Sequence, residues 1–418
     1  MSSTAIVVGA GNAGAELALQ LREQGWSGDI VLYGEESRLP YHRPPLSKTF
    51  MAGALAADQL AIRPQAAYDR AQVRLVPGAH VQAIDPAAHR ITLADGAVAE
   101  YAVLALTTGA RPRRLALPGL DPQRPGNNLH VLRTLDDAQA IRARCQPGSR
   151  LVVVGAGYIG LELAASATAL GARVTVLEAL PRVLARVTGI EFAAFIEQTH
   201  RAAGVDLRLG IRLERAECAA DGSVCALVCA DGSRIECDLV VAGIGVEPNV
   251  ELARDAGLAI DNGIVVDELA RTSATDVVAA GDCTNHPSAL YGRNIRLESV
   301  PNALEQARTA AATLAGKARP YRQVPWFWSD QFDLKTKSVG LLTGHDHTVL
   351  RGDPSTRSFA VFYLQGERIL AVDTVNNSPD FLAAKRIVAE DIRIPAAVLG
   401  DPTQALKDHL PAPRAAGG

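Results

Sequence analysis

Short β-branched runs that open into a helical period and close on a glycine are the first regularity along the chain. Ala5-Ile6-Val7-Val8 is apolar at every position, as a strand buried on both faces must be. It enters Gly9-Ala10-Gly11-Asn12-Ala13-Gly14 and then a helical pattern over Ala15 to Gln24 that stops at Gly25. A second strand is predicted at Asp29-Ile30-Val31-Leu32-Tyr33, with Glu35 beyond it. The unit recurs: Leu151 to Val154 leads through Gly155, Gly157 and Gly160 into a helix over Leu161 to Leu170, stopped by Gly171. The strand Arg173 to Leu177 and the acid Glu178 follow. Further strands are predicted at Val103 to Leu106, within Thr272 to Asp282, and at Ser338 to Thr343, Phe359 to Leu364 and Ile369 to Thr374. Helices are predicted over Glu298 to Ala307, capped by Ser299 with a proline in the first turn, and from Pro379. The last eight residues, Pro411 to Gly418, are expected to fray.

Each repeat is a strand, Gly-x-Gly-x-x-Gly, helix, second strand and acid, the full βαβ dinucleotide fingerprint. Gly9 and Gly155 permit the tight turn, Gly11 and Gly157 let the backbone approach a pyrophosphate, and Gly14 and Gly160 allow close helix-strand packing. The helix N-terminus supplies free N–H groups and positive dipole to the phosphates. One such motif is an ambiguous signal, because a structural glycine turn looks the same. Two with every accessory part predict two bound dinucleotides. A carboxylate at Glu178 accepts from ribose hydroxyls and repels a 2′-phosphate, so the second site favours NADH over NADPH, a preference that nearby Arg182 would soften. At the first site Glu35, assisted by Glu36, faces an adenosine ribose.

Of 418 residues, 42 are Lys or Arg and 45 Asp or Glu, giving a net charge of −3 and a pI near 6.3. That balance, with 5% aromatic residues, lacks the basic footprint and stacking platforms of nucleic-acid binding. With 48% apolar and 21% charged residues the chain is neither disordered nor fibrous, and its length predicts roughly two or three domains. Cys145, Cys218, Cys225, Cys229, Cys237 and Cys283 form no Cys-x-x-Cys pair and read as structural thiols of a reducing cytosol. Cys225 and Cys229 are expected as buried strand positions rather than half of a zinc site. No apolar run approaches the ~18 residues of a spanning helix. The chain passes from Met1-Ser2-Ser3-Thr4 directly into a strand, without a basic flank or cleavable segment. A cytoplasmic protein with neither membrane nor nucleic-acid partners is expected.

The strand ending in Gly281-Asp282, with Val103 to Leu106 running into Thr107-Thr108-Gly109-Ala110-Arg111-Pro112, resembles the FAD-binding half of the glutathione-reductase-like FAD/NAD flavoprotein superfamily. The resemblance covers essentially the whole sequence. It implies that the first glycine motif holds FAD, that Asp282 hydrogen-bonds the ribityl chain, and that Gly243 to Asn249 is the crossover returning from an NADH domain. Members that reduce disulfides carry a Cys-x-x-x-x-Cys pair early in the FAD domain; here Leu39 to Lys48 contains no cysteine, so no thiol relay operates. Instead Arg43-Pro44-Pro45-Leu46-Ser47-Lys48, Gly160-Leu161-Glu162-Leu163-Ala164 and Pro325-Trp326-Phe327-Trp328-Ser329-Asp330-Gln331 are similar to the oxygenase-coupled NADH-ferredoxin reductases of the putidaredoxin reductase type. Those enzymes pass electrons from NADH through FAD to a two-iron two-sulfur ferredoxin that serves a cytochrome P450 or a ring-hydroxylating dioxygenase.

By the same resemblance Lys48 and Glu162 are the catalytic residues, an ion pair beside the flavin N5. Alone, Lys48 would read as a solvated lysine and Glu162 as a carboxylate stranded among apolar neighbours; pairing answers both. The implied FAD contacts are Gly9, Gly11, Asn12, Ala13, Gly14, Glu35, Arg43, Pro44, Lys48, Thr108, Gly109, Arg111, Asp282, the backbone of Val300, and Trp328. The implied NAD contacts are Gly155, Gly157, Tyr158, Ile159, Gly160, Glu162, Glu178 and Gly245. Tyr158 matches a position that shields the flavin when NADH is absent, although a packed tyrosine reads the same way. Trp328 is assigned flavin contact and an exit route for electrons, against the plainer reading of core packing. Arg308, Lys335 and Lys337 are candidates for docking an acidic ferredoxin, or ordinary surface charge. His345-Asp346-His347 offers two histidines without a third ligand and reads as a polar loop, so no metal is assigned.

The expected architecture is α/β, two Rossmann-like dinucleotide-binding domains (FAD and NAD) plus a C-terminal α+β domain. Residues 1–114 and 244–320 form the FAD-binding domain, 115–243 the NADH-binding domain and 321–418 the C-terminal domain. Hydride transfer needs nicotinamide C4 about 3–3.5 Å from flavin N5. NADH gives two electrons together and an iron-sulfur cluster accepts one, so a carrier with a stable half-reduced state must stand between them. Rival readings are a hydrogen peroxide-forming NADH oxidase, a rubredoxin or nitrite-reductase-type partner, and a non-catalytic NADH-sensing flavoprotein. Which ferredoxin and oxygenase the chain serves, and its oligomeric state, are not legible.

Overall fold

The computed structural model describes residues 3–121 and 128–412; the expected fray at the C-terminus falls mostly on 413–418, outside them. The chain divides into two compact units. The first comprises residues up to 43, 57–111 and 246–325; the second comprises 44–56, 112–245 and 326 onward. The second unit thus takes in the NADH and C-terminal segments together, and with them the short stretch that carries Lys48.

In the first unit a five-stranded parallel sheet runs in the order Val277–Ala279, Val103–Leu106, Ala5–Val8, Ile30–Gly34, Val73–Pro77. Ala5–Val8 is central and buried throughout, which is why its residues are apolar without alternation. Helices Asn12–Glu23 and Val300–Leu314 cover one face, and the antiparallel strands Val81–Asp85, Arg90–Leu93 and Val98–Glu100 help cover the other. The second unit repeats the plan in the order Asp206–Leu209, Arg173–Glu178, Arg150–Val154, Leu239–Ala242, Leu129–His130, all parallel. A five-stranded antiparallel sheet follows, Trp326–Gln331, Leu334–Gly340, Arg368–Val375, Ser358–Gln365, His347–Asp353, with helix Ser378–Ala389 packed on it. The architecture is therefore two dinucleotide-binding folds with a C-terminal α+β element.

Several boundaries shift for local reasons. The two motif helices, Asn12–Glu23 and Tyr158–Ala169, begin inside their glycine motifs. The strand expected at Ser338 to Thr343 is Leu334–Gly340, because Gly340 at φ +78° turns the chain away. Within Thr272 to Asp282 only Val277–Ala279 is strand. Cys225 is half-buried and Cys229 buried on strand Val224–Cys229, a partial correction to the expectation that both are buried.

Candidate functional site

Two glycines in each motif are demanded by the fold and one is not. Gly9 has φ +109°, and a Cβ there would lie 2.3 Å from the Thr107 carbonyl oxygen; at Gly14 it would lie 1.9 Å from Gly9 O. Gly155, at φ +105°, and Gly160 meet the same obstruction, from Gly243 O at 2.4 Å and Gly155 O at 2.2 Å. Gly11 and Gly157 are different: each is the N-cap of its helix in extended backbone, and a Cβ would find nothing within 4 Å. Neither helix start has a side-chain cap, whereas Ser299 caps Val300–Leu314 by accepting from Asn302 N. Asn12 Oδ1 is buried without a partner among the described residues. Open space at the middle glycine and uncapped N–H groups at the helix start fit a dinucleotide pyrophosphate.

The two acids after the first unit's second strand have different surroundings. Glu35 follows strand Ile30–Gly34, is 80% exposed, and pairs with His80 at 3.3 Å. Glu36 is engaged: it pairs with Arg43 at 2.7 Å and accepts from Tyr41 Oη at 2.6 Å. Arg43, assigned to a diphosphate, thus spans Glu36 and the Tyr41 ring, 5.1 Å away. Arg111 is held by Glu247 and Glu251 at 2.7 and 2.8 Å. Thr108 Oγ1 donates to Asn249 O at 2.6 Å, beside Gly109 at φ +67°. Asp282 lies just after strand Val277–Ala279, half-buried, and Val300 opens its capped helix. Around the second motif, Glu178 accepts from Ala156 N and Leu180 N, both at 2.8 Å, which fixes its carboxylate at the end of its strand. The guanidinium of Arg182 donates to the carbonyls of Thr188 and Ala185 at 2.8 and 2.9 Å. Ile159 is exposed, and Gly245 has φ +100°.

The densest chemistry lies inside the second unit. Pro44–Ser47 is a short 3-10 turn, and Ser166 Oγ binds it to the motif helix by donating to Ser47 O at 2.8 Å. Lys48 Nζ then stands 3.2 Å from Glu162 and 3.5 Å from Asp330, and 5.5 Å from the centre of the Trp328 ring. Glu162 accepts from Ser47 Oγ and Ser329 Oγ, each at 2.5 Å. Burial pushes its carboxyl above the usual range, opposed first by the Lys48 charge and then by the two serines. Such a pair is costly to desolvate, and removing one member costs ~3–5 kcal/mol wherever the other stays charged.

Tyr158 is tethered rather than loose. Its ring packs 4.6 Å from Phe327 and its hydroxyl lies 3.3 Å from Ser338 Oγ, which donates to Asp373 at 2.5 Å. Asp373 also accepts from Tyr363, whose hydroxyl takes the Gly189 N–H. Burial pushes the Asp373 carboxyl up to about 6 from an ordinary 3.8. The folded chain therefore holds this proton where the unfolded chain has lost it. The group favours folding most below its unfolded value, and that contribution is lost as pH rises through about 6. Asp373→Asn removes the titration. The thermal stability of wild type relative to this variant should fall by about 3 kcal/mol between roughly pH 4 and 7; a flat difference contradicts the shift.

The docking candidates separate. Arg308 is neutralised by Glu16 and Glu305, each at 2.7 Å. Lys337 donates to Ser378 Oγ at 3.1 Å over the Phe381 ring, and Lys335 is exposed. His345 Nδ1 donates to Leu342 O in its own loop, His347 pairs with Asp346, and among the described residues no group of three His, Cys, Asp or Glu is placed to hold a metal. All six cysteines are unbridged. Sequence reasoning missed Ser47, Ser329 and Asp330 as partners of the ion pair, and Gln331 as the partner of Ser329. The available signal was polar Ser329 and Gln331 two apart on a strand, both facing inward where apolar residues belong.

A sequence profile of the pyridine nucleotide-disulphide oxidoreductase family matches residues 3–307, and a reductase C-terminal profile matches 326–410. Putidaredoxin reductase CamA of Pseudomonas putida is 45% identical over 411 residues, 98% of this chain and 97% of that protein. The anthranilate 1,2-dioxygenase system ferredoxin–NAD(+) reductase component of Burkholderia cepacia is 40% identical over 406 residues, 97% of this chain and 98% of that protein. The crystal structure of a covalent putidaredoxin reductase–putidaredoxin complex matches with a TM-score of 0.94 at 45% identity, covering 97% of each chain.

Proposed function

Because the chain belongs to the pyridine nucleotide-disulphide oxidoreductase family, we propose that it is an NADH-dependent ferredoxin reductase. It is an FAD flavoprotein that reduces a two-iron two-sulfur ferredoxin serving a cytochrome P450 or a ring-hydroxylating dioxygenase. The observation that carries this reading is the buried Lys48–Glu162 pair in a chain whose segment from Leu39 to Lys48 has no cysteine.

FAD, when bound, supplies what no side chain can: it takes two electrons together as hydride and releases them singly. The chain's own residues bind and charge. Gly9, Gly11 and Gly14, with the first-turn N–H groups of Asn12–Glu23, hold the FAD pyrophosphate, and Gly155, Gly157 and Gly160 do so for NADH. Asp282, Thr108 and Gly109 take further FAD contacts on the first unit, with Glu35, Arg43, Arg111 and the backbone of Val300. Glu178, fixed by two backbone donors, presents its remaining lone pairs to the adenosine ribose. Lys48, on the second unit, would offer the flavin ring a fixed positive charge, and helix Val300–Leu314, on the first unit, would offer it the positive end of its dipole. Trp328 is the ring contact beside Lys48, and Tyr158 the aromatic of the NADH side. Lys335 and Lys337 carry the positive surface for an acidic ferredoxin; Arg308 contributes less, its charge being matched by two carboxylates. No helix among the described residues is long and apolar enough to cross a membrane. NADH as donor and six unbridged thiols support a cytoplasmic setting for the work.

Steady-state NADH oxidation by the FAD-loaded protein tests the reading. Addition of a cognate two-iron ferredoxin should accelerate it strongly, and oxygen alone should sustain only slow turnover. Rapid oxidation with oxygen alone, indifferent to any ferredoxin, would make the protein an oxidase. Glu178→Ala should lower the ratio of kcat/KM for NADH over NADPH about tenfold, since a 2′-phosphate no longer meets a carboxylate. An unchanged ratio removes Glu178 from that role.

A further inference from the structure

A line of hydrogen-bonded side chains runs through the interior of the second unit and ends on Glu162. His200, on helix Ile190–Ala202, has Nε2 2.8 Å from Oε1 of Gln331. Gln331 Nε2 donates to Ser329 Oγ at 3.1 Å, and Ser329 donates to Glu162 Oε1 at 2.5 Å. His200, Ser329 and Gln331 are each no more than 1% exposed, so bulk water does not substitute for any partner.

The direction of this line is dictated by its end. A carboxylate only accepts, so Ser329 directs its one hydrogen to Glu162 and can only accept from its other neighbour. Gln331 must then turn its amide nitrogen to Ser329 and its carbonyl to His200. A carbonyl also only accepts, so His200 carries its hydrogen on Nε2. Its Nδ1 is left bare, and among the described residues that atom has no partner. Burial favours the neutral ring, which is the form this geometry requires. Protonation of Glu162 at Oε1 would ask the line to reverse: the amide would flip, the imidazole hydrogen would move to Nδ1, and a buried N–H would have nothing to meet.

We propose that His200 and Gln331 are positioning residues that act through Ser329 to keep Glu162 ionised, and so keep the Lys48 charge in place. Besides Lys48 and Ser47, the groups facing Glu162 are Asp330, which meets it through Lys48, and Tyr158, one turn earlier on the same helix. His200 faces Gln331 and the edge of the Phe332 ring, 5.0 Å away. The inference deepens the reading of Lys48–Glu162 as the charge-setting pair. Its test reads ionisation rather than turnover, so failure of one is distinguishable from failure of the other.

Infrared difference spectra of the FAD-loaded full chain, recorded against pH, follow the protonated-carboxyl band of Glu162, identified by its loss in Glu162→Gln. In His200→Leu and in Gln331→Met the midpoint of that band should rise by about one pH unit, a tenfold change in the protonation ratio. His200→Gln retains an N–H donor and should restore the native midpoint. Should His200→Leu fail to fold, Gln331→Met and His200→Gln carry the test. An unchanged midpoint in folded Gln331→Met, or a His200→Gln midpoint displaced as far as the others, overturns the proposal.

Discussion

Lys48→Met should slow the reduction of bound flavin by NADH about 100-fold while leaving affinity for NAD+ nearly unchanged. The ammonium is 10% exposed, 3.2 Å from Glu162 and 3.5 Å from Asp330, so its charge is fixed in place before any reaction and acts in a setting poor in water. Removing one preorganised group of this kind typically costs a factor of 10²–10³ in rate. The variant should still fold. Without its counter-charge, Glu162 loses the largest influence opposing burial and takes up a proton, which spares the chain a stranded charge. Stopped-flow absorbance measures the rate, and calorimetric titration with NAD+ measures the affinity. A rate within about threefold of wild type would detach Lys48 from the chemistry.

Gly157→Ala should raise the KM for NADH about 100-fold without lowering thermal stability, while Gly155→Ala should destabilise the chain by more than ~3 kcal/mol. The contrast follows from space. At Gly155 the backbone has φ +105° and a methyl would lie 2.4 Å from Gly243 O, so the fold itself must give way. At Gly157 a methyl meets nothing among the described residues within 4 Å. It would occupy the gap through which a pyrophosphate reaches the helix N–H groups, and hold it off. Thermal melts of the two variants and the NADH dependence of turnover separate the effects. A normal KM in Gly157→Ala would mean that the open space is not a phosphate site.

Both glycine motifs and their strands were legible because each feature is local: a buried parallel strand is apolar along its whole length, and a tight turn needs glycine at fixed offsets. The Lys48–Glu162 pair was reached only by resemblance, since 114 residues separate the partners in sequence and nothing in either neighbourhood points to the other. Ser329, Gln331 and His200 were harder still. Inward polar residues on a strand announce a buried network but not its members, and His200 looks like any histidine on an amphipathic helix. The partners of the charged residues were not legible: Arg182, Arg43 and Arg308 are each held by carbonyls or carboxylates whose positions depend on the folded chain. The grouping of 44–56 with the second unit was likewise invisible, because it rests on contacts such as Ser166 Oγ to Ser47 O rather than on composition.

The central claim is that the chain takes electrons in pairs from NADH and delivers them one at a time. Anaerobic titration of the purified, FAD-reconstituted protein measures this directly. One equivalent of NADH should bleach the yellow flavin absorbance, and oxidised two-iron ferredoxin should restore it, with two ferredoxins reduced per flavin. A protein that stays colourless after reconstitution, or a bleached flavin that ferredoxin cannot reoxidise, would contradict it.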